Sequence, residues 1–421
     1  VPHEALVTTM KTNQKYFPVF DKNGALMNHF ITIANIESKD PAMIRAGNER
    51  VVRPRLADAM FFWEQDGRKK LEDPVESLKK VVFQKQLGSM YDKSRRVAAL
   101  AAEIAAGIGG DTGLAMRAGQ LSRCDLMTEM VGEFASMQGI MGRYQAQRDG
   151  EDPELAQAMD EFYMPRFSGD RLPQSRTGIA IALAERIETL VGIFGIGQKP
   201  TGDKDPFALR RAALGALRIM SEHSLTLNLR NLLQFAAIEL GEKITEEDTV
   251  PQVERFMLER LRGLYAERDV TGDLFDAVAA VEPPDLGDFD QRVQAVRSFG
   301  SLPEAEALAA ANKRIGNILK KVKDPIPTGI QPARFELDAE RELHHLVEQM
   351  AATVAPLKQA GDYTGILKAL AGLRAAVDNF FDEVMVMADD PAVRDNRLAL
   401  LSALQALFLQ VADVSLLQAQ A

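Results

Sequence analysis

The stretch Ala311-Asn312-Lys313-Arg314-Ile315-Gly316-Asn317-Ile318-Leu319-Lys320-Lys321-Val322 sorts into two classes of side chain when it is wound into a helix. With Lys313 at the origin of a helical wheel, Asn317, Lys321, Arg314 and Lys320 fall between about 340° and 100°, while Ile318, Val322, Ile315 and Leu319 fall between about 140° and 240°. One face is basic and the opposite face is apolar. Such a helix docks by its apolar side and holds four cations outward. Those cations are either a solvated face or contacts to the phosphates of a nucleic acid.

The helical period extends outward from this segment. From Leu337 to Leu417 the chain reads as helical, with Asp390-Pro391 as a cap and first-turn proline. Going the other way, a Pro- and Asp-rich break from Glu282 to Asp290 separates two further helical blocks, and Asp324 to Pro332 reads as a loop or linker. Ile179 to Phe194 is an apolar helix that follows the loop from Phe167 to Pro173. Tyr91 to Ala106 places Val97, Leu100, Ala101 and Ile104 at helical spacing, and Leu121 to Val131 is expected to be another helix. Leu78, Val81, Val82 and Phe83 are expected to begin the first long helical element after Pro74.

The N-terminal part differs. Ala5 to Met10, Tyr16 to Phe20 and Phe30 to Ala34 read as short strands, with Asp21-Lys22-Asn23-Gly24 as a turn. Pro41 opens a helix that reaches about Trp63. The expected fold class is mainly α and multidomain. The expected division is a mixed α/β segment over 1–73, a helical domain over 74–235, a helical linker region over 236–311 and a helical domain over 312–421.

Composition narrows the function. The 421 residues, 46% hydrophobic and 26% charged, suffice for about two to four domains. No run of eighteen apolar residues exists to span a bilayer. The start, Val1-Pro2-His3-Glu4, carries neither an initiator Met nor a basic-then-apolar leader, so a fragment or processed chain without a secretory signal is expected. The single cysteine, Cys124, excludes an internal disulfide or a cysteine zinc cage and suits a reducing cytoplasm. With a net charge of −10, any contact to nucleic acid must be local. The histidines are His3, His29, His223, His344 and His345, so residues 30–222 hold no His-based metal site and no Ser-His-Asp triad.

Further cations cluster elsewhere. Lys199 and Lys204 lie in the glycine-broken loop that precedes a helix carrying Arg210, Arg211 and Arg218. Asp205 is read as its N-cap and Pro206 as its first residue. The loop is either an anion site or is fixed by pairs between Asp203, Asp205 and these cations. Its glycine spacing matches neither a Walker A loop nor a dinucleotide fingerprint. In the last helix Arg394 and Arg397 continue the stripe of Leu401, Leu404, Phe408 and Val411. Cations at a helix start need partners; Asp389 and Asp390 are the structural candidates and an RNA phosphate or base edge the functional one. Lys11, Lys15, Arg45, Arg50, Arg53 and Arg55 are scattered charges, and Phe380-Phe381 is read as core.

Several blocks carry a family resemblance: Gln14 to Val19, Ala34 to Lys39, Val52 to Asp58, Gly195 to Arg211, and Phe381 to Leu417 with its Asn396-Arg397-Leu398. Together they resemble the β subunit of bacterial tetrameric glycyl-tRNA synthetase along the whole chain. Members of that family are longer at the N-terminus, so the chain looks like the C-terminal part of one. The resemblance implies an α2β2 assembly that joins glycine to its tRNA with ATP and magnesium. It implies that the catalytic site, ATP and Mg lie in the α subunit, so that this chain holds no cofactor, metal or catalytic residue. It also implies a C-terminal anticodon-binding domain similar to that of arginyl-tRNA synthetase. The tRNA contacts expected on this basis are Lys313, Arg314, Asn317, Lys320, Lys321, Arg394 and Arg397, with Lys199, Lys204, Arg210 and Arg211 as a second group.

Tyr91 to Ala98 and Leu121 to Asp125 resemble the first two motifs of the HD phosphohydrolase fold. Asp92 or Lys93 stands where the first motif has a His, and Cys124-Asp125 stands where the second reads His-Asp. The metal-ligand set is incomplete, and Asp125 is expected to support helix packing. The remaining alternatives are a helical scaffold that only assembles α subunits and, against the missing histidines, an HD-type hydrolase.

Overall fold

The structure, a computed structural model, describes residues 1–322, 325–327 and 329–418. The expected loop from Asp324 to Pro332 lies partly outside the described residues. By internal packing the chain falls into two units, residues 1–223 with 229–257, and 224–228 with 258–421.

The first unit begins with α1 (His3–Thr8), which a π turn continues to Asn13. The expected first strand is therefore a helix. Its buried residues, Ala5, Thr9 and Met10, recur at helical spacing, and the Thr9 hydroxyl donates to the Ala5 carbonyl. A six-residue apolar run carries too little periodicity to distinguish the two forms. β1 (Phe17–Phe20) and β2 (Leu26–Ile31) form an antiparallel hairpin, with Phe17 opposite Ile31. The expected meander is thus a two-stranded sheet, and the strand expected over Phe30 to Ala34 is β2, which begins earlier, at Leu26, and ends at Ile31. Tyr16 stacks on Phe30 at 4.7 Å between ring centroids. Asp40 caps α2 (Pro41–Asp66), where the sequence placed a helix, through the amides of Ala42 and Met43.

A 3-10 turn (Val75–Lys80) and a short hairpin, β3 (Val82–Gln84) with β4 (Gly88–Ser89), replace the helix expected at Leu78 to Phe83. Here β-branched Val81 and Val82 precede a glycine at φ 98°, which suits a turn rather than a helix. α3 (Met90–Gly107) starts from a capping box in which Ser89 and Asp92 bond each other's amides. α4 (Thr112–Leu121) crosses it closely: a Cβ on Gly119 would lie 2.5 Å from the Ala98 Cα. The helix expected over Leu121 to Val131 is broken into a 3-10 turn (Cys124–Met127) and α5 (Glu129–Glu133), because Thr128 stops the first and caps the second.

α6 (Ile140–Asp149) and α7 (Pro153–Glu161) lead to α8 (Arg176–Gly195), which is buried on nearly every side. α3, α4, α7, α9 (Leu209–Glu222) and α10 (Leu229–Leu240) surround it. α9 starts three residues after the expected Pro206. Ala208 sits at φ 54°, and Asp205 instead accepts from the amides of Leu209 and Arg210. α11 (Thr249–Ala266) follows.

The second unit packs α12 (Gly272–Ala279), α13 (Leu286–Gly300), α14 (Ala305–Lys321), α15 (Asp338–Gln359), α16 (Tyr363–Ala371), α17 (Arg374–Glu383) and α18 (Pro391–Leu409). Asp390 caps α18 through Ala392 and Val393, as the sequence indicated. The boundary drawn between 311 and 312 falls inside the continuous α14. Arg292 ties α13 to the end of α18, donating to the carbonyls of Gln410 and Val411 and to the Tyr363 hydroxyl. Among the described residues no helix is long and apolar enough to cross a membrane.

Candidate nucleic-acid interface

The wheel drawn for α14 matches its burial. Leu308, Ala311 and Ile315 are buried, Ile318 and Leu319 are half-buried, and Lys313, Arg314, Asn317, Lys320 and Lys321 are exposed. Asn312 is buried within the apolar side and returns its amide to the Leu308 carbonyl. The helix rests on α17, α18 and the turn Val414–Leu416. A Cβ on Gly316 would meet the Gln405 amide at 3.3 Å, which shows how close α14 lies to α18. Lys320 and Lys321 occupy the last turn, where the helix dipole favours cations. Among the described residues no carboxylate lies within ion-pair distance of Lys313, Arg314, Lys320 or Lys321. Arg314 instead lays its guanidinium 4.2 Å above the Phe381 ring. Phe380 is core, but Phe381 is half-exposed and supports that cation. Adjacent residues of a helix point about 100° apart, a signal against the reading of both Phe380 and Phe381 as core.

Arg397 does not belong to this exposed surface. It is 4% exposed, with Nε donating to Glu340 Oε1 at 2.8 Å, Nη2 to Glu336 Oε2 at 2.9 Å and Nη1 to the Met385 carbonyl at 2.9 Å. The expected partners, Asp389 and Asp390, are not the ones it takes, and Asp390 is engaged in capping. Burial pushes the Glu340 carboxyl up, but Arg397 and the amides of Leu337 and Glu336 outweigh that and hold it below its ordinary value. Arg394 is partly exposed and pairs with its neighbour Asp395 at 3.1 Å.

The second expected group lies in the first unit. Lys199 is exposed and 3.7 Å from Glu246, Lys204 is exposed in a turn bonded to Thr201, and Arg211 is exposed. Arg210 folds back onto the Gly202 carbonyl. The alternative pairs with Asp203 and Asp205 do not form. Asp205 spends its carboxylate on two backbone amides.

The segment resembling the HD motifs holds a third set of cations, turned inward. Lys93 is 1% exposed and its ammonium binds Glu188, the Thr189 hydroxyl at 2.6 Å and Glu185 at 3.4 Å. Arg96 Nε donates to Glu188 at 2.9 Å, and Arg123 pairs with Glu185. Burial raises the Glu185 carboxyl, and the charges of Arg123 and Lys93 more than reverse it. Asp125 is buried, accepts the Gly139 amide at 2.5 Å and is pushed up to about 6 by burial. Its neighbour Cys124 is buried too, its thiol pushed up to about 12. Three internal cations thus neutralise the α8 carboxylates. Among the described residues no group of three or more His, Cys, Asp or Glu is arranged to hold a metal ion.

Comparison with known proteins places this geometry. Residues 1–280 match the model of the glycyl-tRNA synthetase beta subunit, and residues 308–414 match the DALR anticodon binding domain. The second match takes in α14, α17 and α18. Over 418 residues the chain is 54% identical to a glycine–tRNA ligase beta subunit of Aeromonas salmonicida and 53% identical to one of Actinobacillus pleuropneumoniae. It is also 54% identical to one of Haemophilus influenzae. Each alignment covers 99% of this chain and 61% of the relative, so the chain spans about three-fifths of the length of these curated relatives. With two-thirds of its residues inside one family model and such identity along nearly all of it, the chain belongs to the glycyl-tRNA synthetase beta subunit family.

Proposed function

We propose that this chain binds glycine tRNA and holds it for glycylation carried out by an α subunit in an α2β2 assembly in the cytoplasm. The observation that carries the reading is α14. In an acidic chain, five polar or cationic side chains line the outer face of one helix, its lysines pair with no carboxylate among the described residues, and this face lies within the stretch matching an anticodon-binding domain. Phosphate contacts of this kind fix the position and orientation of the RNA. Arg394 is a weaker candidate beside them, and Lys199, Lys204, Arg210 and Arg211 form a separate candidate contact of the first unit.

The mechanism is positional. Acyl transfer requires the terminal ribose hydroxyl of the tRNA to meet an activated glycine, and holding the two in place supplies much of the rate. ATP and magnesium activate the glycine in the α subunit. This chain contributes the grip on the tRNA body and a check on the anticodon far from the reacting atoms.

The test is binding of glycine tRNA as a function of salt. Replacing Lys313, Arg314, Lys320 and Lys321 with Glu is expected to abolish tight binding and to reduce the slope of log K against log salt by roughly 3 to 4, about one for each phosphate no longer neutralised. Unchanged affinity and slope at low salt would remove α14 from the interface. A chain that retards no tRNA at all would act as a scaffold only.

A further inference from the structure

Beyond the phosphate contacts, the segment joining α17 to α18 carries apolar surface that the fold leaves unused. Val384 and Val386 are 5% and 6% exposed, whereas Met385 and Met387 are 75% and 54% exposed. Burial alternates residue by residue, as in extended chain, and Val384 has φ −106° and ψ 118°. Two valines therefore anchor the segment and both methionines point the other way.

The segment is also held from beneath. The buried Arg397, fixed by Glu340 and Glu336, gives its remaining Nη1 to the Met385 carbonyl. The Val384 amide closes onto the Phe380 carbonyl at 2.9 Å. Four residues before Met385 stands Phe381, the aromatic ring under the Arg314 guanidinium of α14. Large apolar side chains on a fixed backbone, four and six residues beyond a ring that carries an α14 cation, match a ligand with anionic groups and flat apolar faces. Unpaired nucleotides have both, and a duplex hides the second. Methionine, unbranched and polarisable, adapts to such faces.

We propose that Met385 and Met387 are the surface on which unpaired bases of the bound RNA rest, with Arg397 as the positioning residue that holds their backbone. This inference rests on the proposed RNA-binding role and deepens it. The α14 cations grip phosphates and this segment distinguishes a single-stranded loop from a duplex. The basic face favours RNA over an apolar protein partner, because Phe381, four residues before Met385, already carries the Arg314 guanidinium of α14.

The experiment compares two probes with the full chain: glycine tRNA and a perfect RNA duplex of similar phosphate count. Met385→Ala with Met387→Ala is expected to weaken tRNA binding by about tenfold or more, the effect of unseating one stacked base, while duplex binding and the salt slope stay unchanged. Arg397→Lys is expected to lower the ratio of tRNA to duplex affinity in the same direction without altering the slope. A second measurement needs no substitution: peroxide oxidises exposed methionines to sulfoxides, and tRNA, unlike the duplex, is expected to shield Met385 and Met387. Equal losses for both probes, undiminished tRNA binding by the double variant, or sulfoxide formation indifferent to tRNA would each overturn the inference. Failure of the unaltered chain to bind tRNA would overturn the RNA-binding reading itself, and this inference with it.

Discussion

Two regions of the chain use the same residue types in opposite ways. On α3 and after α4, Lys93, Arg96 and Arg123 turn inward and are consumed by Glu185 and Glu188 of α8. On α14, Lys313, Lys320 and Lys321 turn outward and meet no carboxylate among the described residues. Buried cations of this kind hold helices together at a high desolvation cost and offer nothing to a ligand. Exposed ones contribute little to stability and retain their charge for a polyanion. Cation content therefore says less about binding than the company each cation keeps on its helix.

The strongest way to break this contrast is to remove an inward cation. Lys93→Met leaves Glu185 and Glu188 short of a counter-charge in a dry site, and is expected to destabilise the first unit by about 3–5 kcal/mol. Cys124 provides the readout, since its fully buried thiol reacts only when that unit opens. Thiol labelling under native conditions is expected to accelerate by orders of magnitude in the variant. An unaltered labelling rate would mean that the inward set does not lock the unit.

A smaller effect concerns pH. The Asp125 carboxyl is raised from its ordinary value to about 6 by burial. The folded unit therefore binds a proton more tightly than the unfolded chain. This contribution to stability is fully present below about pH 4 and is lost as pH rises through about 6, a difference of about 3 kcal/mol at most. The Asp125→Asn variant is expected to lose this decline between about pH 4 and 6, read as the melting temperature of the first unit against pH. A decline of the same steepness in the variant would assign it to other groups.

Much of this was legible in single helices and little of it between helices. Lys93 stands in line with Val97, Leu100 and Ile104, so its stripe is apolar, whereas the stripe of Lys313 continues through Asn317, Lys320 and Lys321. The wheel alone thus separates an inward lysine from an outward one. It similarly placed Arg397 on the stripe of Leu401, Leu404 and Phe408. The partners were not legible: Glu340 lies 57 residues from Arg397 and Glu188 lies 95 from Lys93, and no local rule joins them. Local candidates such as Asp390 were already occupied by backbone amides. The N-terminal misreading had another cause. Ala5 to Met10 is too short for period to decide, and packing of Ala5, Thr9 and Met10 settled it as a helix.

The smallest expected effect sharpens the contrast most. Lys313→Ala, Lys320→Ala and Lys321→Ala remove exposed ammonium groups that touch no carboxylate among the described residues, so each is expected to shift stability by less than about 0.5 kcal/mol. Arg314→Ala also loses its stacking on Phe381 and is expected to cost about 0.5–1 kcal/mol. Urea unfolding of the second unit, followed by hydrogen exchange on α14 and α18, measures both. If the three lysines each cost as much as an inward cation, they carry structure and the outward face is not held in reserve. If their removal leaves the unit intact while the salt slope for tRNA falls by about 1 per lysine, the same substitutions separate grip from stability, which no change at Lys93 can do.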